Sequence, residues 1–360
     1  MGHASLPINH WLDSGTIMSC TADEVLIGWG KRQWYAHPIA AHDTPFFYFP
    51  DFFFSIDPWF THEHYTKIDV KTLIKFLEGI DTSPPPKLNW SNSNRLLFEN
   101  VFTDLQKAFH SQQLKKAVPF VFETSTGTMS RNQLITSLLS ALRHVQMNTP
   151  LSLAKHLYGF WSEEEGILGV TPEILFRFTG EHSLETVACA GTISTKHNEE
   201  SLLHDPKELE EHQLVVKGIT ESLTPYGNVT IDDLKVLKSP YLAHLITPIF
   251  IDFETTPSFS TVVNALHPTP ALGAIPKENG KTWLLEYEKK INRQRFGAPV
   301  GYFHSTIANS LCYVAIRNVQ WNTTQLKIGA GCGVIAESQC EHEWNEMNLK
   351  LQTIKKTLSL

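Results

Sequence analysis

The sequence predicts an α+β fold built on antiparallel sheets, and three observations carry that reading. Apolar, β-prone stretches come in pairs separated by short turn signals, as in residues 174–178 and 183–188 on either side of Gly180-Glu181, the layout of a hairpin. Long segments with apolar residues at helical spacing stand between such pairs. The chain has 360 residues, 42% of them hydrophobic and 19% charged, which suffices for one large core and excludes a disordered polymer.

Taken in order, residues 1–65 are aromatic-rich with scattered prolines and strand-like stretches at 24–30 and 46–54. Residues 81–94, with Pro84-Pro85-Pro86, read as a linker or surface excursion. Residues 95–109 read as an amphipathic helix, 118–123 as a strand and 133–143 as a helix. Residues 166–169 lead into the 174–178 strand. Residues 206–223 form a strong helix candidate with Asp205 as its N-cap, and 280–289 another. Residues 313–319 and 326–328 make a hairpin about Asn322-Thr323-Thr324, and the last helix covers 341–357. The division expected is a strand-rich part, 1–94, completing the core of a larger unit, 95–360.

Composition narrows the function. The formal charge of −7, from 30 basic and 37 acidic residues, offers no basic stripe for nucleic acid. Five unpaired-looking cysteines and an N-terminus without a basic-then-apolar leader predict a cytoplasmic protein. The aromatic run at 46–54 is too short to span a membrane. Among 17 histidines, His62 and His64 form one close pair, which reads as a solvated loop because no further ligands accompany it.

The most informative spacing is repeated. Glu208 and Glu211 lie three apart in one predicted helix, and Glu343 and Glu346 three apart in another. Residues at i and i+3 share a helix face, so two such helices brought together would converge four carboxylates, a set that calls for a hard divalent cation. The plain alternative is two solvated helix faces. Gly329-Ala330-Gly331-Cys332-Gly333 precedes the second helix and frees backbone N–H groups for an anion, or simply makes a tight sheet-edge turn. Arg317, inside the apolar 314–317 strand, either pairs with a carboxylate or points to solvent.

Seven blocks, GVTPEILFRF, CAGT, KELEEHQLV, LHPTPALG, GAPVGYF, VAIRNV and GAGCGVIAESQCEHEWNE, run through residues 95–360 in an order that resembles the chorismate-utilising enzymes. That resemblance implies a sandwich of large antiparallel sheets with helices packed outside. It implies chorismate as ligand and Mg2+ as cofactor, with Glu211 and Glu346 as principal metal ligands and Glu208 and Glu343 holding waters of its shell. Arg317, with the backbone of Gly331 and Gly333, resembles the clamp on the enolpyruvyl carboxylate, and Lys350 would neutralise a substrate carboxylate. Gly191 and Thr192 resemble the segment along the ring carboxylate, with His244 and Thr269 as further pocket residues. Glu173 corresponds to the general acid that protonates the departing 4-hydroxyl; without the resemblance it reads as a strand-start turn residue. Lys116 corresponds to the base that activates water, although its block, Lys116-Ala117-Val118-Pro119-Phe120-Val121, has Pro119 and lacks the family's arginine.

Ala190 separates the branches of the family: aminodeoxychorismate synthases carry a lysine nucleophile there, and alanine leaves room for water or ammonia. His267-Pro268-Thr269 resembles the isochorismate synthases, whereas Gly273-Ala274-Ile275-Pro276-Lys277 is similar to the aminating enzymes. The expected activity is therefore isochorismate synthase. The alternatives are an anthranilate- or aminodeoxychorismate-type synthase fed by a glutaminase subunit, a salicylate synthase, and a catalytically silent chorismate-binding protein.

Overall fold

The structure is a computed structural model that describes residues 7–39, 43–146, 155–195, 199–238 and 242–360. Within the N-terminal stretch read for a leader, residues 1–6 lie outside the described residues, and Ile8–Asp13 is a short helix. Sixteen strands make one antiparallel sheet, fifteen along one path and Lys235–Lys238 beside it on Leu242–Phe253. Its path runs from Gly227–Ile231 through Leu242–Phe253, Ser183–Ser194, Ile174–Phe178, Thr306–Val314 and Pro299–His304. It continues through Phe46–Tyr48, Trp59–Asp69, Glu24–Tyr35 and Gly15–Ser19 to His156–Trp161, Glu165–Thr171, Asn318–Asn322, Gln325–Gly331 and Phe120–Thr126.

Burial explains how so long a ladder folds. Strands such as Gly15–Ser19 and His156–Trp161 are buried along both faces, so alternate side chains must enter different cores. Met18, Leu26, Phe47, Phe60, Tyr158, Ile174 and Leu311 join in one apolar cluster drawn from both halves of the ladder, which is the filling of a sandwich. Ile17, Val25, Leu157 and Leu168 face the other way and pack with helical residues such as Leu73, Phe98, Leu138 and Met347. On the other half, Phe176, Ala188 and Ile249 pack with Val215 and Ile219 of one helix and Val262 of another. The α+β sandwich with helices outside is thus the observed architecture.

Helices begin where the sequence gives them caps. Asp205 accepts from the amides of Lys207 at 3.0 Å and Glu208 at 3.1 Å, and Pro206 opens the helix Pro206–Leu223. Asn94 caps Arg95–His110 through the Leu97 amide. The helices at Arg131–Gln146, Lys277–Lys290 and Cys340–Leu358 each run slightly past their predicted ends.

Four sequence expectations need correcting. His62 is not in a solvated loop: it lies buried on Trp59–Asp69, with Nε2 2.7 Å from the Thr16 hydroxyl, while His64 on the same strand is exposed. The 46–54 stretch yields only Phe46–Tyr48 as strand, because Pro50 ends the ladder. Residues 313–319 are not one strand: Thr306–Val314 and Asn318–Asn322 are separated by a bend at which Arg317 takes φ 57°. Pro119 likewise splits the 118–123 strand into Lys116–Ala117 and Phe120–Thr126. No helix among the described residues is long and apolar enough to cross a membrane.

Candidate active site

The two glutamate pairs meet. Both sit in the opening turns of their helices, Glu208 in Pro206–Leu223 and Glu343 in Cys340–Leu358, where the helix dipole favours negative charge. Their apolar stripes turn inward together with the carboxylates, because one flank of each helix borders a cavity. Glu211 and Glu343 are buried, Glu208 and Glu346 half-buried, and Glu210 alone on the first helix's acidic run faces solvent. The solvated-face alternative is therefore wrong for both pairs. Glu208 Oε2 accepts from the Thr192 amide at 2.8 Å, tying the helix to the end of Ser183–Ser194.

A cavity of about 70 Å3 is lined by Glu173, Ala190, Gly191, Thr192, Glu211, His244, Arg317, Gly331, Gly333, Glu346 and Lys350. It shares Thr192 and Glu346 with an open cleft of about 590 Å3, which Lys207, Glu208 and Glu343 also line. Residues predicted from separate blocks of sequence thus surround one space, with a mouth at the carboxylates. A cleft of about 640 Å3 elsewhere, bordered by Asp51, Glu165, Glu288 and Arg295, contains none of them; volume does not identify the chemistry here.

Lys116 is fully buried, with Nζ 3.2 Å from Glu211 Oε1 and donating to the Pro270 carbonyl at 2.9 Å. Its backbone is fixed by pairing with Ile275, and the unusual Pro119 does not displace it: the Pro119 carbonyl accepts from the Cys332 amide and the ladder resumes at Phe120. The Lys116 and Lys207 ammoniums outweigh burial at Glu211 and hold its carboxyl down at about 2. Gly333 makes this approach possible, since a Cβ there would lie 1.9 Å from Glu211 Oε1.

Glu173 is buried between Glu165–Thr171 and Ile174–Phe178, with its carbonyl accepting from the Val314 amide and Oε1 3.5 Å from the Thr269 hydroxyl. Burial pushes its carboxyl up to about 7, against the opposing pull of Lys116. That is the protonation state a general acid needs near neutral pH. Its place at a turn is correct, but the turn aims it inward.

Arg317 lies in the bend, and among the described residues its guanidinium makes no ion pair. Burial lowers it to about 10, with Glu346 the strongest opposing charge, so it stays a cation at the cavity wall. The solvent-facing alternative is excluded. Lys350 contacts Glu346 and donates to the Gly331 carbonyl at 2.8 Å. Gly329 and Gly331 belong to a strand paired with Phe120–Thr126 rather than to a turn. Thr192 Oγ1 lies 3.0 Å from His244 Nδ1, and burial drives that imidazole to its neutral form.

The donor set fits a hard cation such as Mg2+: four carboxylates, no thiolate or imidazole, and a buried Glu343 Oε2 without a hydrogen-bond partner. As they stand, no three acidic, histidine or cysteine side chains among the described residues converge closely enough to hold an ion. Lys207 stands among them, its Nζ 3.0 Å from Glu208 Oε1, Glu211 Oε2 and Glu343 Oε1. Sequence reasoning passed over this residue, although Lys207 and Glu211 have the i, i+4 spacing of a helical ion pair. Glu208 and Glu343 are each pushed up to about 7, by burial first and then by neighbouring carboxylates.

Comparisons with known proteins bear on the family and the fold. The family described as "Chorismate binding enzyme" matches residues 78–359. The salicylate biosynthesis isochorismate synthase of Pseudomonas aeruginosa is 33% identical over 201 residues, 53% of this chain and 42% of that protein. Isochorismate synthase MenF of Bacillus subtilis is 33% identical over 206 residues, 54% of this chain and 43% of that protein. The matched stretch spans less than half the length of either relative. In structure, MenF, the menaquinone-specific isochorismate synthase from Escherichia coli, aligns with a TM-score of 0.77 at 16% identity, over 98% of this chain and 92% of its own. Anthranilate synthase component I from Streptococcus pneumoniae aligns at 0.69 and 16% identity, over 89% and 82%. At such identity these two likenesses speak for the fold. The family match covers every residue of the cavity, and the chain belongs to the chorismate-binding enzymes.

Proposed function

We propose that this chain is a magnesium-dependent isochorismate synthase, adding water at C2 of chorismate while the C4 hydroxyl leaves. The observation that carries the reading is Glu173: a buried carboxyl, held near 7, in the same cavity as the Arg317 cation and beside the four glutamates that line that cavity and its adjoining cleft. A bound Mg2+, held by Glu211 and Glu346 with Glu208 and Glu343 behind them, would supply positive charge for the ring carboxylate.

The chain's own residues divide the remaining work. Arg317 and Lys350 provide cations for the enolpyruvyl carboxylate. Glu173 gives its proton to the departing 4-hydroxyl, which leaves as water. On the opposite side Lys116, once it has released to solvent the ammonium proton that pairs it with Glu211, takes a proton from the water whose oxygen bonds to C2. One proton is lost and one gained, and both ring double bonds shift along the path from C2 to C4. Ala190, buried at the cavity wall, provides no nucleophile, which favours water or ammonia over a covalent lysine. His267-Pro268-Thr269, with Thr269 on Glu173, favours water.

The test is direct. Protein incubated with chorismate and Mg2+, with and without ammonia, should give isochorismate by chromatography in both cases. Aminated product alone, or none, would sink the proposal.

A further inference from the structure

We infer that the Lys207 ammonium is a tethered counter-cation that occupies the four-glutamate cluster in exchange with the divalent ion, so that the ion binds only as Lys207 leaves. The inference rests on reading that cluster as a divalent-cation site. Three carboxylate oxygens, from two helices, surround Nζ at 3.0 Å. A magnesium ion needs its oxygens at about 2.0–2.1 Å. The ammonium therefore props the carboxylates roughly 1 Å too far out for the metal. Two cations in one such cage would repel within van der Waals distance, and only one can be accommodated.

Three further observations point the same way. Lys207 stands in the first turn of its helix, where the dipole disfavours positive charge, so the carboxylates and not the helix account for its position. Among the described residues the buried Glu343 Oε2 has no hydrogen-bond partner, an acceptor that the ammonium leaves unused and that an ion with more ligands would take up. The cleft of about 590 Å3 opens beside Lys207 and is bordered by Asp205 and His342, giving an expelled side chain room and an acidic neighbour. The exchange has a purpose in the fold. Glu208, Glu211 and Glu343 are packed together with little solvent, and without a cation they would repel one another. The built-in ammonium lets the cluster close before any ion arrives, at the cost of weaker ion binding.

The experiment uses the full chain. Mg2+ binding is measured by calorimetry for the wild type and Lys207→Met, with thermal unfolding of both in chelator and in excess Mg2+. The variant should bind Mg2+ about tenfold more tightly or better. It should unfold several degrees lower in chelator and regain the difference with Mg2+. A second measurement needs no variant: acetylation of Lys207 in the wild type by an amine-reactive reagent, followed by mass spectrometry, should accelerate when Mg2+ is added. Equal or weaker Mg2+ binding by folded Lys207→Met, or acetylation of Lys207 indifferent to saturating Mg2+, overturns the inference while leaving the metal site intact. Failure of both proteins to bind Mg2+ overturns the metal reading itself, and the exchange with it.

Discussion

Lys116 Nζ lies 3.2 Å from Glu211 Oε1, with the lysine fully buried and the glutamate nearly so. One residue therefore serves the proposed base position and compensates a proposed metal ligand. Removing it does two separable things. Lys116→Ala should abolish turnover and also destabilise the fold by about 2–4 kcal/mol, because a buried carboxylate loses a partner. Lys116→Ala combined with Glu211→Gln should recover much of the stability in urea unfolding and none of the activity. Stability that stays low in the double variant would show that Lys116 does not compensate Glu211.

Glu173 sets the pH dependence. Its folded value of about 7 lies above the ordinary 4.5, so the acid form predominates below about 7. Turnover should fall on the alkaline side, and Glu173→Gln should lose about 10²–10⁴-fold in rate while removing that limb. Stability has its own sign. The folded state holds this proton more tightly than the unfolded state, so its contribution is complete below 4.5 and is lost as pH rises through about 7. Glu173→Gln should therefore gain stability relative to wild type between pH 5 and 8, by about 2–3 kcal/mol in denaturant titrations.

Gly333 is the tightest steric point of the cavity. A methyl there would meet Glu211 Oε1 at 1.9 Å and Lys116 Cε at 2.9 Å. Gly333→Ala should cost about 1–3 kcal/mol of stability and displace the carboxylate. Calorimetry should show Mg2+ affinity falling with it; unchanged affinity would place Glu211 outside the metal's ligands.

Arg317 faces the cavity without an ion pair among the described residues, so its charge is available to a ligand. Arg317→Ala should raise KM for chorismate by about 10–100-fold. Arg317→Lys should recover only part of this, since a point charge cannot reproduce two parallel donors. Steady-state kinetics with fluorescence titration of chorismate would separate binding from turnover.

Helices were legible because local signals decide them: Asp205 with Pro206 caps the helix that follows, whereas the Asn94 cap lay unread at the end of the 81–94 linker. The glutamate clusters were half legible. Their i, i+3 spacing was plain, but whether the pairs faced inward depended on the tertiary meeting of two helices. Leu242–Phe253, a central strand with Pro248 in it, escaped notice because a proline usually argues against a central strand. The bend at Arg317 also escaped, since a positive φ at an arginine leaves no compositional trace. Lys207 was hidden in plain view: beside acidic residues on a helix a lysine reads as solvated, and only burial among three carboxylates reveals otherwise.

The order of strands has one more implication. Between Pro299–His304 and His156–Trp161 the ladder is carried by strands within residues 15–69, whose described residues contribute no side chain to the cavity. They are the spine of an open book whose two covers carry Thr192 on one side and Gly331 on the other. Changes in that spine, far from any reacting atom, would alter how far apart the covers stand. Substitutions in its strands should therefore shift the proposed turnover without contacting the cavity.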